Sequence, residues 1–172
     1  MEKKETRFDG IAASPGVAHG QAFIFLRREF EIPSYSVAVE DQEAEIARFE
    51  QAVLDTKSEI GGIRSEIADR LGEEEAEIFD AHLLVLDDKA LLDETVHEMQ
   101  STGQNIEFCF HDVADRYVMA FSKIDDEYIK ERATDIRDVM RRLLRILSGN
   151  ADFNLSRLTE QKIIVSDDLT PS

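Results

Sequence analysis

Between Asp41 and Leu147 the apolar residues of this chain return at threes, fours and sevens, while short strand-like apolar runs stand on either side of that stretch. This arrangement narrows the fold more than any other feature. A helical block interrupts something that begins and ends as sheet. Sheet pieces this small are marginal in water by themselves, so they must be completed by a second copy or by further chain.

The N-terminal run FDGIAASPGVAHGQAFIFLRR contains a turn at Ser14-Pro15-Gly16, where Pro fixes one φ and Gly accepts a positive one. After it, Ala22, Ile24 and Leu26 face one side of a predicted strand, and Phe23 and Phe25 the other. Apolar residues on both sides predict cover on both faces. At the far end, KIIVSDDLTPS reads as a short buried strand over Ile163–Val165. Ile24, Phe25, Ile163 and Ile164 are expected to lack full cover, with dimerisation or fraying as the consequence.

The first helix is predicted from Asp41 to Leu71, with Ile46, Phe49, Val53, Ile60, Ile63, Ile67 and Leu71 on its stripe and a kink at Gly61-Gly62. A second runs from Glu73 to Leu86. A break at Asp87-Asp88 precedes a third that ends near Met99. STGQN (101–105) reads as a loop, and Asn105 as the cap of a helix carrying Ile106, Cys109, Phe110, Val113, Tyr117 and Phe121. The last helix starts at Asp125-Asp126-Glu127 and ends near Arg145, acids first and bases last, as the helix dipole favours. Asp138 and Arg142 are spaced to pair on it. The order is strand, strand, four or five helices, strand. The expected fold is mainly α, a kinked helical bundle over 33–149 inserted into an incomplete α/β domain made of 1–32 and 150–172.

The chain carries 37 acidic against 20 basic side chains, a net charge of -17. Such a field repels nucleic acid and anionic lipid and speeds encounter with basic partners. One cysteine excludes an internal disulfide and fits a reducing compartment. No apolar run approaches the roughly 20 residues that span a bilayer, and MEKKETRFDG lacks a secretory core. The expected location is the cytoplasm.

The stretch EEEAEIFDAHLLVLDD (Glu73–Asp88) sets seven carboxylates around Leu83–Leu86, with no Lys or Arg. On a helical wheel Ile78, Phe79, Leu83 and Leu86 share the core face, His82 lies at its edge, Leu84 nearly opposite and Val85 on the flank. A Leu-Val pair ringed by acids has the make-up of a small interface; equally, a neighbouring helix can cover Leu84. Glu94 and His97 have the Glu-x-x-His spacing of di-iron bundles, but Glu107 and His111 are four apart and no second motif completes a site. Cys109 lies on an apolar stripe and reads as core. No phosphate loop or nucleophile elbow occurs. The residues nominate a binding surface, no catalytic group and no metal site.

Four motifs in order, GIAASPGVAHGQAF, GEEEAEIFDAHLLVLDD, DDEYIKERATDIRDVMRRLLR and DLTPS, resemble Enzyme I of the bacterial phosphotransferase system. The resemblance implies a helical domain that binds the phosphocarrier HPr, inserted into an α/β phosphohistidine domain, and His-to-His phosphoryl transfer from phosphoenolpyruvate. Mg²⁺ is expected for the full-length enzyme, as is homodimerisation through a C-terminal domain. Carried over by position, the HPr-binding residues are Glu73, Glu74, His82, Leu84, Val85, Asp88 and Arg132. Lys89 and Ala90 stand where members of this family often carry further acids. None of the four histidines lies in the Gly-Gly-x-Thr-Ser-His motif of the family's phosphohistidine. The expectation is an N-terminal portion that docks the carrier and is itself inactive. The alternatives from other classes are an acidic helical scaffold with a different basic partner, and a metal-binding bundle around Glu94 and His97.

Overall fold

The structure is a computed structural model that describes residues 11–25, 32–149, 158 and 160–166. It divides into two compact units, one holding the described residues 11–25, 158 and 160–166, the other 32–149. The element order is β1 (Ala22–Phe25), α1 (Gln42–Arg70), α2 (Glu73–Leu86), α3 (Lys89–Thr102), α4 (Ile106–Ser122), α5 (Glu127–Leu147) and β2 (Ile163–Ser166). Among the described residues one strand, not two, precedes the helices.

In the first unit β1 and β2 pair in parallel, with Ala22 opposite Ile163 and Phe25 opposite Ser166. Parallel strands need a long connection, and here the whole helical unit supplies it. Gly16, at φ +122°, provides the positive φ that the Ser-Pro-Gly turn calls for. Among the described residues the expected two-sided cover is not present. Phe23 and Phe25 are half-buried, but Ala22 is exposed and Ile24 is 66% exposed. Leu26 lies outside the described residues.

In the second unit each helix buries a stripe at helical spacing. α1 contributes Phe49, Ala52, Val53, Thr56 and Ile60, and α4 contributes Ile106, Cys109, Phe110, Val113, Ala114 and Val118. α1 packs on α2, α4 on α5, and α5 also on α1 and α2, while α3 leans chiefly on α4. The Phe49 and Phe110 rings meet at 5.6 Å where α1 approaches α4. The buried hydroxyls of Thr56 and Thr95 donate to carbonyls one turn back on their own helices, Ala52 and Leu91.

α1 is continuous through Gly61-Gly62. Two expectations change. α3 continues through Ser101 and Thr102 and stops at Gly103, whose left-handed φ of +67° ends it. Asn105 stands at the head of α4 but makes no side-chain cap. Its amide spans outward: Oδ1 accepts from the Tyr35 N–H, and Nδ2 donates to the Pro33 carbonyl and to Glu107. That side chain straps the incoming segment 33–37 to the bundle. Arg48 completes the strap, donating to Glu45, to Glu107 at 2.8 Å and to the Leu147 carbonyl. Arg142 and Arg145 of α5 both reach Glu59, which ties α5 to α1. Arg142 therefore has a partner on another helix, and Asp138 lies 3.6 Å from Arg141.

Candidate functional site

A groove of about 210 Å³ opens on the helical unit where α2, α3, α4 and α5 meet. Leu84 and Val85 form the α2 wall, and Leu91 stands beside them on α3. Tyr117 and Phe121 of α4 and Ile129 and Ile136 of α5 complete an apolar lining. The charges in that lining are Asp88 and Arg132. Four of the seven residues nominated from the sequence, Leu84, Val85, Asp88 and Arg132, thus converge on one concave surface.

The convergence has local causes. α2 ends at Leu86 and α3 begins at Lys89, so Asp88 sits at a tight corner between them. The Asp88 carboxylate accepts from the Ala90 and Leu91 N–H groups and caps α3. Leu84 points away from the core face and is 57% exposed. Val85 is 7% exposed, so the expected exposed pair is split. The physical reason is that α2 is flanked by both α1 and α5, so its buried arc is wider than a single core face allows.

His82 also departs from the wheel. It is 2% exposed, edge-on to Phe79, with Nε2 3.5 Å from Asp135 Oδ1 on α5. It ties α2 to α5 behind the groove and is absent from the groove lining. Ile78, expected in the core, is exposed.

Glu73 and Glu74 are exposed in the first turn of α2, on the order of 16 Å along the helix from Leu84. Gly72, at φ +126°, leads into that helix without a side-chain cap, and three glutamates in the first turn face the positive helix end instead. Arg64 bridges Glu73 and Asp80. Its hydrogen bond holds the Asp80 carboxyl below the usual carboxylate range.

The α4 wall is anchored by a polar network shared between α3 and α4. Tyr117 donates its hydroxyl to Glu94 at 3.0 Å, and Arg116 reaches Glu94, Glu98 and Asp112. Burial and the Glu94 carboxylate push the Tyr117 hydroxyl up, so it remains a neutral donor. Glu94 is thereby engaged in an ion-pair network, with His97 exposed nearby. Among the described residues no three His, Cys, Asp or Glu side chains gather as metal ligands. The sequence does not by itself single out Tyr117, Phe121 and Ile129 as groove residues. Their signal was present, as apolar residues at the facing ends of two helices joined by a short turn.

The family model described as "PEP-utilising enzyme, N-terminal" matches residues 9–132. A phosphoenolpyruvate-protein phosphotransferase of Bacillus sp. (strain S) is 42% identical over 98% of this chain, and that of Bacillus subtilis (strain 168) is 38% identical over 95%. The chain spans 29% and 28% of those relatives' lengths. The solution structure of Enzyme I (nEIt) superposes with a TM-score of 0.81 at 34% identity, covering 94% of this chain and 65% of that one. The N-terminal domain of Enzyme 1 - Nitrogen gives a TM-score of 0.69 at 26% identity, with 92% and 64% covered. With 124 consecutive residues (9–132) matching the family model, and with relatives and solved structures agreeing with it, the chain belongs to the PEP-utilising enzyme family, as an N-terminal domain of the Enzyme I, or phosphoenolpyruvate-protein phosphotransferase, kind.

Proposed function

We propose that this chain docks a small phosphocarrier protein of the HPr type on the groove between α2, α3, α4 and α5. The observation that carries the reading is the convergence of Leu84, Val85, Asp88 and Arg132 on that groove. Leu84 supplies exposed apolar surface for a desolvated centre, and Val85 backs it. Glu73 and Glu74, with the chain's net charge of -17, steer a basic carrier surface toward it. Phosphoryl transfer between histidines depends mainly on positioning and charge stabilisation. A domain that only holds the carrier at a fixed angle contributes to such a reaction without a catalytic group of its own. No step is assigned to Mg²⁺, and no helix among the described residues is long and apolar enough to cross a membrane. The single cysteine, Cys109, buried and free, fits a reducing, cytoplasmic setting.

The test is an NMR titration of isotope-labelled HPr with this protein at low and moderate salt. Shifts around the carrier's active histidine that weaken with salt are expected. Leu84→Ala should weaken docking by about 1–2 kcal/mol, and Glu74→Lys should mainly slow association. Absence of shifts at both salts would overturn the reading and favour a different basic partner.

A further inference from the structure

A second cleft lies on another face of the same helical unit, between α1 and α3. Its volume is about 370 Å³, larger than that of the groove described above. It exists because α3 leans on α4 and touches α1 only lightly, which leaves a gap between two nearly independent helices. Phe49 and Val53 form a buried floor. Leu92 and Val96 make a half-buried wall, and Leu54 stands at the lip, 59% exposed.

The two charges in the lining are both carboxylates, Glu50 on α1 and Asp93 on α3. Both are exposed, and neither has an ion-pair partner among the described residues. Some other acids of these helices are matched, Glu45 by Arg48 and Glu94 and Glu98 by Arg116, whereas Glu43 and Asp69 of α1, like Glu50 and Asp93, are in no ion pair among the described residues. Lys57, one turn beyond Val53, is held at 2.6 Å by Asp87 and does not offset the cleft's charge. An apolar floor between two unmatched carboxylates, one on each wall, has the complement of an amphipathic helix: apolar anchors on one side and cations flanking them. A second copy of this chain, with a net charge of -17, is a poor candidate by charge. From Phe49 to Val53 the floor extends on the order of 6 Å, about one helical turn, enough for two anchors at i and i+4.

We propose that the α1–α3 cleft is a second docking site, distinct from the carrier groove, for a short basic amphipathic helix of a partner protein. The two apolar anchors sit over Phe49 and Val53 and against Leu92 and Val96. Lysines or arginines on either side meet Glu50 and Asp93.

The probe is a designed helical peptide with leucines at i and i+4 and flanking lysines, titrated into isotope-labelled protein, with a glutamate-flanked peptide as control. Shifts are expected at Val53, Leu54, Leu92 and Val96 with the lysine peptide and not with the control. Leu54→Ser, at an exposed position that leaves the core intact, should weaken binding at least tenfold, whereas Leu84→Ser in the carrier groove should leave it unchanged. The pair Glu50→Gln and Asp93→Asn should weaken it and flatten its salt dependence. Absence of binding, shifts centred on Leu84 and Arg132, or indifference to Leu54→Ser would each overturn the proposal, the last by showing charge attraction without a site.

Discussion

Asp88 does two jobs that a reading by position runs together. It was nominated as an acid facing a basic carrier, and its carboxylate also caps α3 through the Ala90 and Leu91 N–H groups. The two roles separate by substitution. Asp88→Ser keeps a capping oxygen and loses the charge, so stability should stay within about 0.5 kcal/mol. Asp88→Ala loses both and should cost about 1 kcal/mol in urea unfolding. Carrier association should slow in both variants. An unchanged association rate in Asp88→Ser would assign the residue to capping alone. Glu107 makes the matching case for pH. Burial opposes its charged form, but hydrogen bonds from Arg48 and Asn105 and the nearby Arg48 charge outweigh burial, and the carboxyl sits below its ordinary value of 4.5. A depressed folded pKa contributes stability that is complete above the unfolded value and is lost as pH falls through the folded one. Stability should therefore drop as pH is lowered below that ordinary value, and less steeply in Glu107→Gln, where the ionisable group is gone. Parallel pH profiles for the two proteins in chemical denaturation would show that the Glu107 strap carries no such linkage.

At the scale of elements, the helices were legible because a strong 3.6-residue period does not depend on what the helix packs against. The predicted second helix, Glu73–Leu86, matches α2 as found. What sequence could not supply was the number of neighbours each helix has. α2 is flanked on two sides, which is why Val85 and His82 are buried while the wheel left them at flank and edge. Likewise Ser101 and Thr102 look like loop by composition, but both hydroxyls donate back to the Glu98 carbonyl inside α3, and Gly103 marks the true end. Asn105 has the right residue type for a cap, yet its amide is taken by Tyr35, Pro33 and Glu107, partners seventy-odd residues away or across a helix turn. α1 is continuous through Gly61 and Gly62, and a Cβ at either would meet nothing within 4 Å. Each glycine then only loosens the unfolded chain. Gly61→Ala and Gly62→Ala together should stabilise by about 1–2 kcal/mol in urea. A loss of stability instead would indicate that α1 needs a bend there.

For the whole molecule, the two units rest on different amounts of burial. The helical unit has a contiguous core from Phe49 through Phe110 and Val113 to Leu143. The parallel pair β1–β2 leaves Ile24, Ile164 and Val165 exposed, and two strands with an open apolar face gain little from water exclusion. Their pairing also closes a loop of more than a hundred residues, an entropic cost that few contacts offset. The expectation of fraying at the strands follows from this imbalance, and it has a direct readout in amide exchange. Ile163 N–H, bonded to the Gln21 carbonyl at 2.9 Å, and the amides of β1 and β2 should exchange at least ~100-fold faster than those of Ile60 in α1 and Val113 in α4. The difference should persist on dilution if the strands simply open to water. Protection of β1 and β2 equal to that of α4, falling as the protein is diluted, would mean that a second copy covers the exposed face. Protection that is equal and independent of concentration would mean that the strand pair is stabilised within the chain by contacts outside the described residues.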